Sequence, residues 1–566
     1  MDRRNSRQSE DSFMLFGMRE HNNKQHKGLD YGNGHLHGPA VDLETAIRET
    51  GYGWYHFWLL MICGSVYMTC AIGTTTLSFV LPAAECDFSL DSAEKGEINA
   101  TPLVGMIFGS YVWGSMADTR GRKSVLVISM TMDFVAALLS SLAPNLLSFL
   151  ACRFFNGFGI IGATSVVFPY MSEFLAYKHR DLNLCRLELF WVLGVCAVPG
   201  LAWIVIPLPI TWTPFPDLIL RSWRLFVFFC GVPSLVIAII LHFFFMETPK
   251  FLLSRGHHDE ALEVLRKIFV FNKKRPVSEY CVHRLAAETY DLQLNEDGSP
   301  VHLPLGHKEP KASLCRQFAN RMKVLWEQNV ALFSGPLAKY TLLACFIDFG
   351  IMSSYYTLML WFPELLERFS SFNHLHGEET EVSGVCDVMG VVMDPSANNC
   401  TSPDHMHGPD NEVYLHTLII GLSCLPTSLM LGYLVRKMGT RIMLTLFMTT
   451  AGISILCLHL IHNEMQNLVL SCVFEALASV AEATLFCAVV HIFPTHLRAL
   501  AVSLTVTCGR IGAVLGNILL GILLDFSCVV PITTFGVLLI ASGLLCLALP
   551  KPSGDHPRHS ICSHAL

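Results

Sequence analysis

The chain has 566 residues, of which 52% are hydrophobic and only 15% are charged, and its formal net charge is −7. This balance excludes an ordinary soluble domain and indicates a polytopic membrane protein. The small acidic excess gives no reason to expect a nucleic-acid partner. The twenty cysteines lie mostly in apolar segments, where they act as small hydrophobic residues and not as a disulfide scaffold.

The chain opens with a polar region that precedes twelve apolar segments. Residues 1–55 lack the apolar core of a cleavable signal peptide and are predicted to be a cytoplasmic tail, with a short helix over Asp42–Thr50. The segments that follow are each long enough to cross a hydrocarbon core of about 30 Å. They are predicted at 56–82, 97–117, 124–143, 147–176, 185–206, 222–246, 338–362, 413–435, 440–461, 467–493, 499–525 and 529–549.

The basic residues set the predicted orientation of these spans. They concentrate in alternate loops, at 120–123, 178–186, 250–323, 436–441 and 498. Since Lys and Arg in short loops stay in the cytoplasm, both termini and the central loop 247–337 are predicted to lie inside. The spans form a bundle over 56–246 and a second bundle over 338–550, followed by a cytoplasmic tail over 551–566. Within the central loop, Asp259–Phe269 is amphipathic and predicted to be helical.

The loop 364–412 is predicted to lie on the opposite, lumenal side. It contains Asn399-Cys400-Thr401, a sequence that accepts an N-linked glycan; an unmodified loop is the equally weighted alternative. Cys386 and Cys400 lie in the same loop and are a candidate disulfide in an oxidising lumen.

A tight basic turn, GSMADTRGRK over residues 114–123, joins the second and third spans. Gly114 is expected to let two helices approach closely, and Gly121 to allow the sharp reversal. Asp118 is expected to cap the helix end and pair with Arg120 or Arg122. The pattern resembles the loop 2–3 signature of the major facilitator superfamily; the alternative is any cytoplasmic hairpin that obeys the positive-inside rule.

The two halves of the chain repeat at a constant offset. Gly432 follows Gly114 by 318 residues (432 − 114), and Arg498 follows Arg180 by the same number (498 − 180). Parallel repeats of this kind build transporters with two similar halves. The sequence therefore predicts an all-α membrane protein with the major facilitator superfamily fold, in which twelve transmembrane helices form two six-helix pseudo-symmetric halves.

Further motifs resemble one branch of that superfamily. They are FVLPAAE at 79–85, SEFLA at 172–176, ETPKF at 247–251 and WFPE at 361–364. These motifs are similar to those of synaptic vesicle glycoprotein 2 and the synaptic vesicle two-related transporters, over nearly all of residues 44–550. The resemblance implies kinship with sugar and organic-ion transporters and a synaptic or secretory vesicle membrane, with the plasma membrane as the alternative.

The chain departs from the resembled family at charged positions. Cys70 and Gly73 stand where members usually carry an acidic pair in the first span, and His491 replaces a Glu in the tenth. Arg436 stands at the Asp position of the second loop signature. Coupling chemistry therefore cannot simply be carried over from the family.

Four acidic residues lie near the middle of predicted spans: Asp133, Asp348, Glu475 and Glu482. A charge at this depth costs several kcal/mol and usually faces a cavity. Glu475 and Glu482 are seven residues apart and share a helix face. Glu482 is expected to bind the proton or cation; the alternative is a neutral Glu that hydrogen-bonds a neighbouring helix, and for Asp133 a structural role is favoured.

Aromatic residues are expected to line a central substrate cavity, where they can stack on rings or hold a cation. The candidates are Trp191, Tyr170, Tyr355, Tyr356 and Trp361, alongside Asp348 and Glu482. The alternative for each aromatic is packing, and the resemblance favours Trp191 and Tyr356 as pocket residues.

A second group is expected to gate the cytoplasmic rim. Its members are Gly114, Asp118, Gly121, Arg122, Glu173, Arg180, Glu188, Arg436 and Arg498. In the superfamily such residues form a charge network that closes the inner gate. Arg436 would break this network, and Glu188 is predicted to restore it by pairing with Arg436.

The sequence contains no phosphate-binding loop, nucleophile elbow or metal-spaced Cys/His set, so neither an enzyme nor a cofactor is predicted. The first hypothesis is a secondary transporter of a small organic solute, organic ion or sugar-like, that works by alternating access in a lipid bilayer with protons as the candidate coupling ion. The second is a non-transporting vesicle membrane protein with regulatory protein partners. A channel is disfavoured because no selectivity filter is seen.

Overall fold

The computed structural model describes residues 40–215, 218–286, 293–294, 300–301, 330, 332–376, 411–458, 464–493, 495–524, 526–527 and 529–550. The predicted glycan site at Asn399 and the cysteines Cys386 and Cys400 lie outside these residues, so both features stay predictions.

Twelve long helices dominate the described chain. They are α1 (Trp54–Phe88), α2 (Ser92–Arg120), α3 (Arg122–Ser141), α4 (Leu146–Ser172), α5 (Tyr177–Val205), α6 (Ser222–Phe244), α7 (Gly335–His376), α8 (Asn411–Met438), α9 (Thr440–Cys457), α10 (Glu464–Ile492), α11 (Thr495–Leu524) and α12 (Val529–Leu545). Eleven of them are long and apolar enough to cross a membrane. The other, α2, has 29 residues and a length of about 43 Å, but polar residues such as Asn99, Thr101 and Ser110 lower the hydropathy of its central part.

Short elements connect the long helices. The helices Leu43–Thr50 and His258–Lys273 confirm the two short helices predicted from the sequence. The remaining short elements are the helix Pro249–Ser254, the 3₁₀ turns Val277–Glu279 and Cys546–Ala548, and the antiparallel strand pairs β1 (Thr211–Phe215) with β2 (Leu218–Arg221) and β3 (Gln293–Leu294) with β4 (Pro300–Val301).

The packing of the first six helices recurs in the last six. In the first half α3 packs on α4 and α6, α2 packs on α4, and α1 packs on α4, α5 and α6. In the second half α9 packs on α10 and α12, α8 packs on α10, and α7 packs on α10, α11 and α12. Every contact shifts by six helices, which confirms the predicted pair of pseudo-symmetric halves.

Several predicted boundaries differ from the helix ends by five residues or more: α1 ends at Phe88 and not at 82, and α5 begins at Tyr177 and not at 185. Two further cases have a structural reason. Helix α2 begins at Ser92 and not at 97, because Asp91 and Glu94 form a reciprocal capping box in which the Glu94 amide donates to Asp91 Oδ1 at 2.6 Å. Helix α7 continues through Pro363 to His376, so residues 364–376, predicted as loop, are helical. In both cases polar residues extend the helix beyond its apolar run.

A small cap covers the face of the first half at which the predicted cytoplasmic loops lie. The helix Leu43–Thr50 packs on His258–Lys273 through Leu43 and Ala46. The Tyr280 hydroxyl donates to the Ala46 carbonyl at 2.8 Å, and its buried position raises the pKa of that phenol. The segment before α1 is thereby joined to the central loop.

Candidate functional site

The two halves meet along three helix pairs: α1 with α7, α5 with α8, and α2 with α11. The last two pairs are equivalent under the six-helix repeat. Side chains from both halves therefore converge near the pseudo-symmetry axis, where transporters of this architecture bind their solutes. We call the face where α1 ends and α2 begins the outer face, and the face with the Gly121 turn the inner face.

Charged and aromatic side chains meet at the middle of this interface. Tyr67 and Glu188 come from the first half, and Tyr356, Glu482 and Arg510 come from the second; we name these five residues the central cluster. The Tyr67 hydroxyl donates to Glu188 Oε2 at 3.5 Å. Glu482 lies within electrostatic range of both Tyr67 and Glu188. The two carboxylates of the cluster thus lie on opposite halves and within electrostatic range of each other.

Arg510 supplies a positive charge in this region. Its side chain is 9% exposed, and its guanidinium carbon lies 5.0 Å from the centroid of the Tyr356 ring, a cation–π contact. It also interacts electrostatically with Glu482 and with Asp348. Its Nε and Nη1 have no hydrogen-bond partner among the described residues.

Asp348 borders the central cluster from α7. It is fully buried, and a side chain at Gly509 of α11 would overlap its carboxylate, so the two helices pack closely here. Neither carboxylate oxygen has a hydrogen-bond partner in the described part of the chain. A buried carboxylate without hydrogen bonds is costly, which favours a functional reason for its position.

An aromatic wall borders the first-half side of the cluster. The Tyr67 ring lies 5.0 Å from Trp191 and 5.1 Å from Phe168, measured between centroids. On the other side Tyr355 and Tyr356 are perpendicular at 5.6 Å, and Tyr355 adjoins Glu475. Of the predicted substrate residues, the structure thus brings Trp191, Tyr355, Tyr356, Asp348 and Glu482 together.

Two predicted substrate residues have structural partners instead. The Tyr170 hydroxyl donates to the Met246 carbonyl at 2.8 Å, which anchors α4 to the segment after α6. Trp361 is fully buried, and its indole donates to Asn517 Oδ1 at 3.1 Å, which ties α7 to α11. Tyr170 thus bonds within the first half and Trp361 within the second. Tyrosine and tryptophan bury their rings where the hydroxyl or the indole N–H finds a hydrogen-bond partner.

Asp133 also takes a structural position, as favoured from the sequence. Its Oδ1 accepts from Asn156 Nδ2 at 2.6 Å, and its Oδ2 accepts from the Ser234 hydroxyl at 2.5 Å. Both oxygens are therefore satisfied by α4 and α6 within the first half. A side chain at Gly73 of α1 would come within 3.6 Å of this carboxylate.

A narrow cavity lies in the interface on the outer side of the central cluster. Its wall includes Thr75, Ser78, Thr417, Gly421 and Glu475, and its volume is about 20 Å³. This is room for roughly one water molecule. In the described conformation this cavity is therefore too small for an organic solute.

An ion network closes the outer face, and we name it the outer clamp. Lys95 of α2 lies 2.6 Å from Glu364 of α7 and 3.0 Å from Glu85. Arg368 of α7 lies 3.0 Å from the same oxygen of Glu364 and donates to the Ser92 hydroxyl at 3.3 Å. Lys95 and Glu364 are 2% and 3% exposed, so this pair joins the two halves without access to water.

At the inner face the first-half part of the predicted gating network is present. Arg122 lies 2.9 Å from Asp118 and 3.3 Å from Glu173. Gly121 has φ +99°, as the predicted reversal requires. Glu247 accepts from the Arg122 and Lys123 amides at 2.9 and 3.1 Å. Burial raises the pKa of the Glu247 carboxyl, and these amide hydrogen bonds oppose the rise.

Three gating assignments differ from their predicted contacts. Gly114 has open space where a side chain would stand, so it makes no close helix approach. Arg180 pairs with Glu44 of the cap at 3.1 Å. Glu188 points to Tyr67 in the central cluster. The side chains of Arg436 and Arg498 are outside the described set, so the pairing of Glu188 with Arg436 stays a prediction.

Sequence reasoning missed several of the residues described above. Arg510 is a lone cation in an apolar run, which is itself a signal of an interior site. Tyr67 gave no signal, because aromatic residues are common in membrane helices. Lys95 was placed outside the second span, so its role in joining the halves became visible only from the fold.

Two pseudo-symmetric six-helix halves that meet at a polar midplane define a multi-pass membrane transporter fold of the alternating-access kind. The family model of the Major Facilitator Superfamily matches residues 63–393 and 403–561. The chain belongs to that superfamily.

Known proteins place the chain near one branch of the superfamily. It is 26% identical to human synaptic vesicle glycoprotein 2B in an alignment 590 positions long, which covers 90% of this chain and 86% of that protein. It is 31% identical to rat synaptic vesicle glycoprotein 2A over 343 residues, 59% of this chain and 45% of that protein. These relatives confirm the resemblance to the synaptic vesicle glycoprotein 2 branch.

Solved structures agree on the fold. The inward open conformation of the xylose transporter XylE from E. coli aligns with a TM-score of 0.61 at 14% identity and covers 90% of this chain and 99% of that one. A partially occluded inward open form aligns with a TM-score of 0.60 over 89% of this chain and 99% of that one, also at 14% identity. At this identity the likeness extends to the fold alone.

Proposed function

We propose that the protein is a secondary transporter that moves a small organic solute, an organic ion or a sugar-like molecule, across a membrane by alternating access. The observation that carries this proposal is the central cluster, in which Glu188 and Tyr67 of one half face Glu482, Tyr356 and Arg510 of the other. A solute held there touches both halves, so its binding energy can differ between the two orientations of the halves.

Glu482 is the proposed site of the coupling proton. It lies inside the helical bundle between a like charge on Glu188 and an opposite charge on Arg510. Protonation removes the repulsion between Glu188 and Glu482, which changes how closely the halves can approach. A proton bound here is therefore linked to the rocking of the halves.

The outer clamp is the proposed outer gate of the same cycle. It joins α2 to α7 by buried charges, so the described conformation is closed at the outer face. The names of the relatives point to a synaptic or secretory vesicle membrane as the location. With both termini in the cytoplasm, the outer face would be lumenal.

The test is solute counterflow into proteoliposomes that contain the purified full-length protein. A panel of sugars, organic cations and organic anions is offered at about pH 5.5 and about pH 7.5. We expect uptake of one solute class that depends on pH in the wild type and is lost in Glu482→Gln. Glu263→Gln is the matched control, because Glu263 is exposed on the cytoplasmic helix His258–Lys273 and pairs with Lys267.

Folded protein that shows no counterflow with any class would overturn the transport proposal. If the same protein still bound a solute or captured vesicle proteins, the non-transporting regulatory role would replace it. Uptake that keeps its pH dependence in Glu482→Gln would leave transport standing and remove Glu482 as the proton site.

A further inference from the structure

Acidic groups outnumber basic ones where the two halves meet. Glu482 lies within electrostatic range of Glu188 and of Asp348, and Arg510 is the cation described beside them. Glu188 stands on the first half and Glu482 on the second, so these like charges lie on opposite sides of the interface and within electrostatic range. A cation placed between them would remove a repulsion that otherwise opposes closure.

Arg510 does not satisfy these acids completely. Its positive charge interacts with both Glu482 and Asp348, and its guanidinium stacks on the Tyr356 ring. Asp348 is fully buried, yet both its oxygens lack a hydrogen-bond partner among the described residues. The two Asp348 oxygens can therefore accept hydrogen bonds from a bound positive group.

Aromatic faces complete the environment. Tyr67 is 5.0 Å from Trp191 and 5.1 Å from Phe168, and Tyr356 stands on the opposite half with a guanidinium already over its ring. Ring faces attract cations, and they do so most strongly where water is excluded. They also accept the methyl groups of a quaternary ammonium ion, which cannot donate hydrogen bonds.

We infer that the solute is an organic cation, whose positive group lies between Glu188 and Glu482 and against the Tyr67–Trp191 wall. An anion is disfavoured because the three carboxylates Glu188, Glu482 and Asp348 outnumber Arg510, the one guanidinium described beside them. A neutral sugar could accept and donate hydrogen bonds here but would leave the repulsion between Glu188 and Glu482 in place. This inference rests on the proposed function, since it names the class of solute for the same site.

The experiment compares ligands of one shape and different charge. Choline and its neutral isostere 3,3-dimethyl-1-butanol differ only in the quaternary nitrogen, and 3,3-dimethylbutanoate supplies the anion. Phenyltrimethylammonium adds a ring that can pack on Trp191. Equilibrium binding to the full-length protein in nanodiscs is measured by calorimetry and by the shift in melting temperature.

We expect both cations to bind and raise the melting temperature, with the neutral and anionic isosteres at least about tenfold weaker. Glu188→Gln and Glu482→Gln should each weaken cation binding about tenfold or more, whereas Glu263→Gln should leave it unchanged. Since the ligand comparison uses the wild-type protein, it holds even if one variant fails to fold. Glu482→Asp, which keeps the charge, should retain cation binding.

Equal binding of choline and its neutral isostere, preferential binding of the anion, or no binding of either cation would overturn the inference. Binding and transport are read separately. Cations that bind but show no counterflow support the cation site and contradict the transport proposal. Counterflow of a sugar or an anion without cation binding contradicts the cation site and supports transport.

Discussion

Two glycines near the turn between α2 and α3 differ in whether the structure requires a glycine at their position. Gly121 adopts φ +99°, and a side chain there would overlap the Glu247 carboxylate that accepts the amides at the start of α3. Gly114 is helical and has open space around the position of a missing side chain. Only the first glycine is required by the conformation of the turn.

We therefore predict that Gly121→Ala destabilises the protein by about 2 kcal/mol or more, because the left-handed backbone strain and the overlap with Glu247 add. Gly114→Ala is the matched control and should be neutral, or stabilising by up to about 1 kcal/mol through helix propensity. Thermal unfolding of both variants in the same detergent measures the difference. Equal losses of stability in the two variants would show that the conformation of the turn does not decide the need for glycine.

The ends of α2 and α7 carry the outer clamp. Lys95 has two carboxylate partners, and Glu364 has two cationic partners, all at 3.0 Å or less. The pair is buried, so each charge depends on its partners and not on water. At the scale of the elements, this network sets the distance between the two halves at the outer face.

Removing one member of the clamp should open that face. We predict that Lys95→Met removes the ion pair that joins α2 to α7 and leaves Glu364 with Arg368 as its described charged partner, which costs about 1–3 kcal/mol in the closed state. Hydrogen exchange at the outer ends of α2 and α7 should then rise. Glu97→Gln, an exposed position on the same helix, is the control.

A conservative change tests whether the charge at this position matters. Lys95→Arg keeps the positive charge between Glu85 and Glu364 and should retain the protection that Lys95→Met loses. If Lys95→Met keeps the exchange pattern of the wild type, the clamp does not hold the halves together.

At the scale of the whole molecule, the two halves touch closely at the outer face. A side chain at Gly96 of α2 would come within 2.7 Å of the Asn517 carbonyl on α11, so backbone meets backbone across the interface. Gly521 of α11 lies next to Gly96 in the same contact. Such an approach is possible only while the outer face is closed.

We predict that Gly96→Val separates the halves at the outer face and shifts the equilibrium between the two orientations by about 1–3 kcal/mol, or roughly fivefold to 150-fold. Counterflow should fall while the protein stays folded. Gly200→Val on α5, where a side chain meets open space, controls for the effect of valine in a helix. Unchanged counterflow in Gly96→Val would mean that this contact does not take part in the cycle.

The sequence by itself determined the architecture. Apolar segments, basic loops and the 318-residue repeat are local or periodic signals, because a bilayer selects for length, hydropathy and loop charge. The turn at Gly121 and the Arg122 network followed from one motif for the same reason. Mid-span carboxylates such as Glu482 are also visible in a sequence, since the cost of burying charge makes them rare.

The partners of each residue were decided only by the tertiary structure. Glu188 was assigned to the inner rim but lies beside Tyr67, and Lys95 was placed outside its helix but joins α2 to α7. Tyr170 and Trp361 were predicted to line the pocket, yet the Tyr170 hydroxyl donates to the Met246 carbonyl and the Trp361 indole donates to the Asn517 side chain. A helix of 3.6 residues per turn presents neighbouring residues to different surroundings, so rotation and tilt, which packing sets, decide what each side chain faces.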